Sequence, residues 1–164
     1  HHATALVAGH DHATDHNSSN QVLNYLGKYH PVVVHFPIAL LVTAFLVMVV
    51  GLLKPSTTTD LLGYRLVYLA AAGAVLAALL GLAAGANVNY PSDMDEYFEL
   101  HRLFGLGTTA LSVLVAFAAY RVERTPTSGR RWLFRIFLAL SAAAVAIAAH
   151  LGATLVYGPD HFAF

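Results

Sequence analysis

Four long runs of apolar residues that contain no charged side chain constrain the fold of this chain more than any other feature. A helix needs about 20 apolar residues to cross a bilayer, and each run has or approaches that length. Charged residues make up 11% of the chain, against about 25% in a typical soluble domain. The runs predict an all-α fold, an integral membrane antiparallel four-helix bundle with short connections. Its spans are expected at about 31–53, 66–86, 103–120 and 136–158.

The basic residues indicate how the bundle is oriented in the membrane. Seven of the nine lysines and arginines fall in the connections at 54–65 and 121–135, and positive charge in short loops marks the cytoplasmic side. We therefore expect a multi-pass protein whose two termini lie outside. The sequence divides into a histidine-rich outward tail at 1–29, a transmembrane domain at 30–158 and an outward C-terminal tail at 159–164.

Composition excludes several kinds of function. The net charge is zero and no basic surface stands out, so nucleic acid is not expected as a partner. The chain has no cysteine, which excludes disulfides, thiolate metal sites and covalent haem attachment. No carboxylate lies within a span, which argues against a catalytic triad and against a proton or substrate transporter. We expect an electron-transfer or structural subunit rather than a catalyst by itself.

All ten histidines are predicted to lie in the outer half of the membrane or outside it. Four belong to the bundle: His30 and His35 in the first span, His101 in the third and His150 in the fourth. An ionisable residue inside a span is costly and is by default a functional-site candidate. From the 1.5 Å rise per residue, His35 and His150 lie at similar depths, roughly 6 and 10 Å below the outer boundary. His30 and His101 lie close to that boundary.

Two imidazoles at matched depth on facing helices could provide both axial ligands of a b-type haem. His35 and His150 are the preferred axial pair, and His101 and His30 would serve a second haem or line the first. Small residues on the helix faces of His101 and His150 would let a porphyrin approach closely. Two alternatives remain open. One is a cofactor-free structural membrane subunit whose histidines hydrogen-bond locally, and the other is a non-haem metal site that uses the same histidines.

Other polar groups near the outer boundary could take part. Arg102 and Lys28 are cations that could pair with haem propionates. Six further histidines lie in the two tails, and the N-terminal ones could bind a metal ion. The six tail histidines are at positions 1, 2, 10, 12, 16 and 161.

Two motifs at the ends of the bundle resemble those of a known family. The stretch "HPVVVHFPIAL" at 30–40 resembles an opening HP-x-x-VHFPIAL, and "HLGATLVYG" at 150–158 resembles a closing H-x-G-x-LVYG, with Ala153 departing from a frequent Gly-Gly form. Together they resemble a family of bacterial predicted four-helix membrane proteins, a domain of unknown function, over residues 30–158. Some members are joined to c-type cytochrome domains, so the resemblance implies a redox setting, but no catalytic residue.

The expected function combines these inferences. We expect a subunit of the bacterial inner (cytoplasmic) membrane that binds one or two molecules of haem b near the outer face. It would serve electron transfer or anchoring in a respiratory or photosynthetic complex. Its expected partners are the lipid bilayer and other subunits of a membrane redox complex, among them a c-type cytochrome.

Overall fold

The computed structural model describes residues 21–86, 88 and 91–160. Within them all regular secondary structure is helical. Residues 21–27 are helical, and five helices follow them: α1 (His30–Val33), α2 (His35–Leu53), α3 (Thr57–Gly85), α4 (Asp95–Arg124) and α5 (Ser128–Tyr157). Helices α1 and α2 belong to one helical segment, Gln21–Leu53, so the described chain has four helices long and apolar enough to span a membrane. The predicted all-α membrane architecture with four spans is confirmed.

The helices extend beyond the predicted spans because polar residues continue them at their ends. Helix α3 begins at Thr57 after Ser56, whose backbone is extended. Helix α5 begins at Ser128, and the Thr127 hydroxyl accepts a hydrogen bond from the backbone N–H of Arg130 at 3.3 Å. Such a cap satisfies an N–H group that has no partner inside the helix. Hydropathy alone does not reveal these first turns, because they are not apolar.

The four spans pack into a closed bundle. The longer helices α2 to α5 pack mainly against their neighbours in sequence, α5 also packs against α2, and the short helix α1 packs against α3. The centre is filled by fully buried side chains that include Leu41, Val67, Val115 and Leu138. Large apolar side chains also cover the outside, where many are more than half exposed, for example Leu46, Leu79, Phe117 and Leu140. An apolar surface of this extent suits contact with lipid.

The two ends of the bundle differ in chemistry. The histidine end holds His30 and His101, and the arginine end holds the connections 54–56 and 125–127. Two ion pairs join helices at the arginine end: Arg65 with Glu123 at 3.3 Å and Arg131 with Asp60 at 3.2 Å. The Tyr68 hydroxyl also donates a hydrogen bond to Glu123. Electrostatic contacts between the described spans are therefore concentrated at the arginine end.

The chain contains two copies of one helical hairpin, offset by 71 residues. Helix α3 begins at Thr57 and α5 at Ser128, which is the same offset. The offset also relates buried positions, since Leu41 corresponds to Ser112 and Ala70 to Ser141, and all four are fully buried. It relates three further pairs: His30 and His101, Ala77 and Ala148, and Gly81 and Gly152. The first hairpin (α1 to α3) and the second (α4 and α5) thus direct equivalent positions into the bundle.

Candidate functional site

His30 lies at the histidine end of the first hairpin. It is the first residue of α1, and Pro31 lies in the same turn, where a missing backbone N–H costs no helical hydrogen bond. The half-buried ring packs against α3, where Nδ1 lies 2.9 Å from the carbonyl oxygen of Ala77. A Cβ atom at Gly81 would lie 2.9 Å from Cε1 of the ring. Glycine at this position therefore makes room for the imidazole.

His101 makes the same contacts in the second hairpin. Its half-buried ring packs against α5, where Nδ1 lies 3.0 Å from the carbonyl oxygen of Ala148. A Cβ atom at Gly152 would lie 3.0 Å from Cε1 of this ring. In each hairpin the acceptor carbonyl follows the histidine by 47 residues. The two histidine sites are therefore copies of one arrangement.

The rings of His30 and His101 are next to each other. Their centroids are 6.3 Å apart and their planes make an angle of 75°. A carbonyl oxygen only accepts hydrogen bonds, so Nδ1 carries the proton in each ring and a neutral imidazole keeps its lone pair on Nε2. Neither Nε2 atom has a hydrogen-bond partner within residues 21–86, 88 and 91–160. A histidine held through Nδ1–H by a carbonyl is well arranged to bind a metal through Nε2.

His35 and His150 have a different setting. Both residues are exposed, and Nδ1 of His35 is hydrogen-bonded within its own helix, to the carbonyl oxygen of Pro31 at 2.5 Å. The structure thus brings His30 and His101 together, and the predicted pairing of His35 with His150 stays a prediction.

The remaining candidate residues are two cations, Arg102 and Lys28, and the histidines of the two tails. Arg102 pairs with Glu99 on its own helix at 3.8 Å, and more than half of each side chain is exposed. Lys28 is exposed as well, so the pairing of these cations with propionates stays a prediction. The histidines at 1, 2, 10, 12, 16 and 161 lie outside the described residues.

Hydroxyl groups continue inward from His101 along α4. Thr108 and Ser112 lie on the same face as His101, about two and three turns further along. The Ser112 hydroxyl donates to the Thr108 carbonyl at 2.7 Å and lies 3.4 Å from the Ser141 hydroxyl. Thr108 Oγ1 is buried and has no partner among the described residues. The first hairpin has Pro37 at the position of Thr108, so these buried hydroxyls make the two halves of the bundle different.

The residues that support the two rings were not predicted from the sequence. Ala77 and Ala148 act through their backbone carbonyls, and Gly81 and Gly152 act through the absence of a side chain, so none of them has a recognisable chemical signature. The internal repeat is the signal that identifies them, because it places the same histidine, alanine and glycine at the same spacing in both hairpins.

Comparison with known proteins identifies a family. A family model described as a predicted membrane protein (DUF2231) matches residues 28–160, which include both hairpins. No curated protein and no solved structure matches the chain.

Proposed function

The chain belongs to the DUF2231 family of predicted membrane proteins, and on this premise we propose that it is a membrane subunit that binds b-type haem between His30 and His101 and transfers electrons. The main support for this proposal is the distance between the centroids of the two imidazole rings. Bonds of about 2 Å between a metal and imidazole nitrogens put two rings on opposite sides of one metal ion with centroids roughly 6 Å apart. The centroids of His30 and His101 are 6.3 Å apart.

The number of ligands favours haem over a bare metal ion. A porphyrin supplies four nitrogens to its iron, so two histidines complete the coordination. A structural zinc ion, by comparison, needs about four protein ligands. Among the residues that the structure describes, no group of three or more potential ligands is present. Because the chain has no cysteine, the haem would be of the non-covalent b type.

The proposed reaction is the transfer of single electrons. His30 and His101 would hold the haem between the two hairpins, and the bound haem would supply one-electron redox chemistry between a reduced donor and an oxidised acceptor. We propose other subunits of a membrane redox complex as donor and acceptor, with a c-type cytochrome as one of them. His35 and His150 are the alternative axial pair, or the ligands of a second haem.

The absorption spectrum of the purified protein tests the haem proposal. Protein expressed with sufficient haem and purified in mild detergent is expected to show a Soret band and, on reduction, the sharp visible bands of a low-spin haem. Pyridine haemochrome analysis is expected to identify haem b. A folded protein without a Soret band would contradict the proposal and would favour a structural role in which the two rings only join the hairpins. Elemental analysis of the same sample would detect a non-haem metal.

We further propose that the arginine end faces the cytoplasm of a bacterial cell and that both termini lie outside. A reporter enzyme that is active only in the cytoplasm is expected to work when inserted in the connection 125–127 and to be silent at the C-terminus, because positively charged short loops stay inside. A second reporter, active only outside the cytoplasm, serves as the control and is expected to give the reverse pattern. Cytoplasmic activity at the C-terminus with silence in the connection would rule out this orientation.

A further inference from the structure

A small cavity opens at the arginine end, on the opposite end of the bundle from the two histidines. It lies between α2, α3 and α5, and its polar lining comes from α3 and α5. The lining residues that matter here are Thr59, Asp60, Tyr64, Arg131, Phe134 and Arg135. All of them lie within the first three turns of their helices, close to the ends of the proposed spans.

The charges of the residues that line this cavity do not sum to zero. Asp60 is already paired with Arg131, at 3.2 Å between Oδ2 and Nη1. Arg135 stacks on the ring of Trp132, 5.3 Å from its centroid, and no carboxylate in the described part of the chain pairs with it. The lining therefore has one positive charge in excess, which a bound anion would neutralise.

Tyr64 adds a hydroxyl group to the lining of the cavity. Only 8% of this residue is exposed, and its ring packs edge-to-face on Phe134 with centroids 5.1 Å apart. No hydrogen bond to its hydroxyl is made by any residue that the structure describes. The hydroxyl oxygen is not among the fully buried polar atoms of the described residues, so a ligand that enters the cavity can reach it. The phenol can donate a hydrogen bond to the same anion that Arg135 would attract.

We propose that the open mouth of this small cavity binds a phosphate group, with Arg135 and the Tyr64 hydroxyl as donors and Arg131 as a second guanidinium held in place by Asp60. Guanidinium groups make charge-assisted, often paired hydrogen bonds to phosphate oxygens. The phosphate is either the headgroup of an anionic phospholipid, for which the depth of the cavity near the span ends is suited, or a phosphate ion from solution. The site is independent of the haem proposal, because it shares no residue with the histidine end.

Two binding measurements on the purified full-length chain distinguish the sources. Native mass spectrometry from mixed micelles measures how much phosphatidylglycerol is retained relative to phosphatidylcholine. Equilibrium dialysis with labelled inorganic phosphate measures binding from solution. Arg135→Gln is expected to weaken the binding of the phosphate species at least about tenfold, since a hydrogen bond to a charged group contributes roughly 1.5–3 kcal/mol. Tyr64→Phe, which keeps the ring in the core and removes only the hydroxyl, is expected to weaken it severalfold.

Arg124→Gln is the matched control. Arg124 lies at the same end of the bundle and also stacks on an aromatic ring, that of Tyr120 at 5.4 Å, but it does not line the cavity. The proposal requires that Arg135→Gln and Tyr64→Phe weaken the binding of the phosphate species and that Arg124→Gln binds it normally. Loss of lipid retention alone identifies the headgroup, and loss of dialysis binding alone identifies the ion. Equal loss in all three variants, or no loss in the first two, would overturn the site in favour of general attraction by the basic end.

Discussion

His101→Ala is expected to remove the low-spin haem spectrum, because the proposed haem would lose one of the two histidines that would hold it. His30→Ala is expected to have the same effect, since the proposed site needs both rings to hold one haem. The two substitutions act on one unit, so the double variant should lose no more than either single variant. Haem content per protein and the reduced visible spectrum measure the outcome, and size-exclusion chromatography shows whether each variant still folds.

Alanine variants of the other two histidines provide the comparison. His35→Ala and His150→Ala are expected to keep the low-spin spectrum if His30 and His101 are the ligands, and any loss should be limited to a second haem. A spectrum that survives in His101→Ala but disappears in His150→Ala would contradict the proposed ligands. That result would favour the axial pair His35 and His150.

Gly152→Ala is expected to destabilise the protein and to displace the ring of His101. The added Cβ atom would lie 3.0 Å from Cε1 of His101, which is too close for ordinary packing, so the ring or the helix must shift. Overpacking of this kind costs about 1–3 kcal/mol, and a shift also weakens the hydrogen bond from His101 to the Ala148 carbonyl. Gly81→Ala should act in the same way on His30, where the Cβ atom would lie 2.9 Å from Cε1. Thermal unfolding in detergent and haem retention measure both effects.

Gly107→Ala separates this clash from the general effect of removing a glycine. Gly107 is exposed, lies on the same helix as His101, and has nothing within 4 Å of an added Cβ atom. Alanine there should stabilise the helix by up to about 1 kcal/mol, so its unfolding temperature should stay the same or rise. If Gly152→Ala and Gly107→Ala had the same effect on unfolding and on haem retention, the glycine would have no role in seating the ring.

Hydropathy was enough to predict the four spans, because the bilayer requires long apolar runs and the sequence has four of them. It could not locate the helix ends, since Thr57 and Ser128 begin helices in polar sequence where capping rather than apolarity decides. Hydropathy also did not locate the start of the first helical segment, which begins at Gln21. That segment continues into residues that were predicted as tail.

The pairing of the histidines depends on rotation about the helix axes, and depth alone does not determine it. His35 follows His30 by five residues, which turns it about 140° around a continuous helix. A rotation that points His30 at α3 therefore points His35 elsewhere. On α5, Ala148 and Gly152 face His101, and His150 lies between them on the opposite side of the helix. Matching depths favoured His35 and His150, whereas the contacts of the neighbouring helices favour His30 and His101.

The internal repeat determines the sidedness of the molecule. A hairpin of two spans enters and leaves on the same side of the membrane, so a second copy fused to it has the same orientation rather than an inverted one. The axis of the rotation that relates the two hairpins must then lie along the membrane normal, and a residue close to this axis lies close to its own counterpart. His30 meets His101 at one end, and Asp60 meets Arg131 at the other. Each aqueous compartment thus contacts only one of these clusters. The two hairpins are nearly equivalent around the axis of the bundle, but the two ends of that axis differ in chemistry.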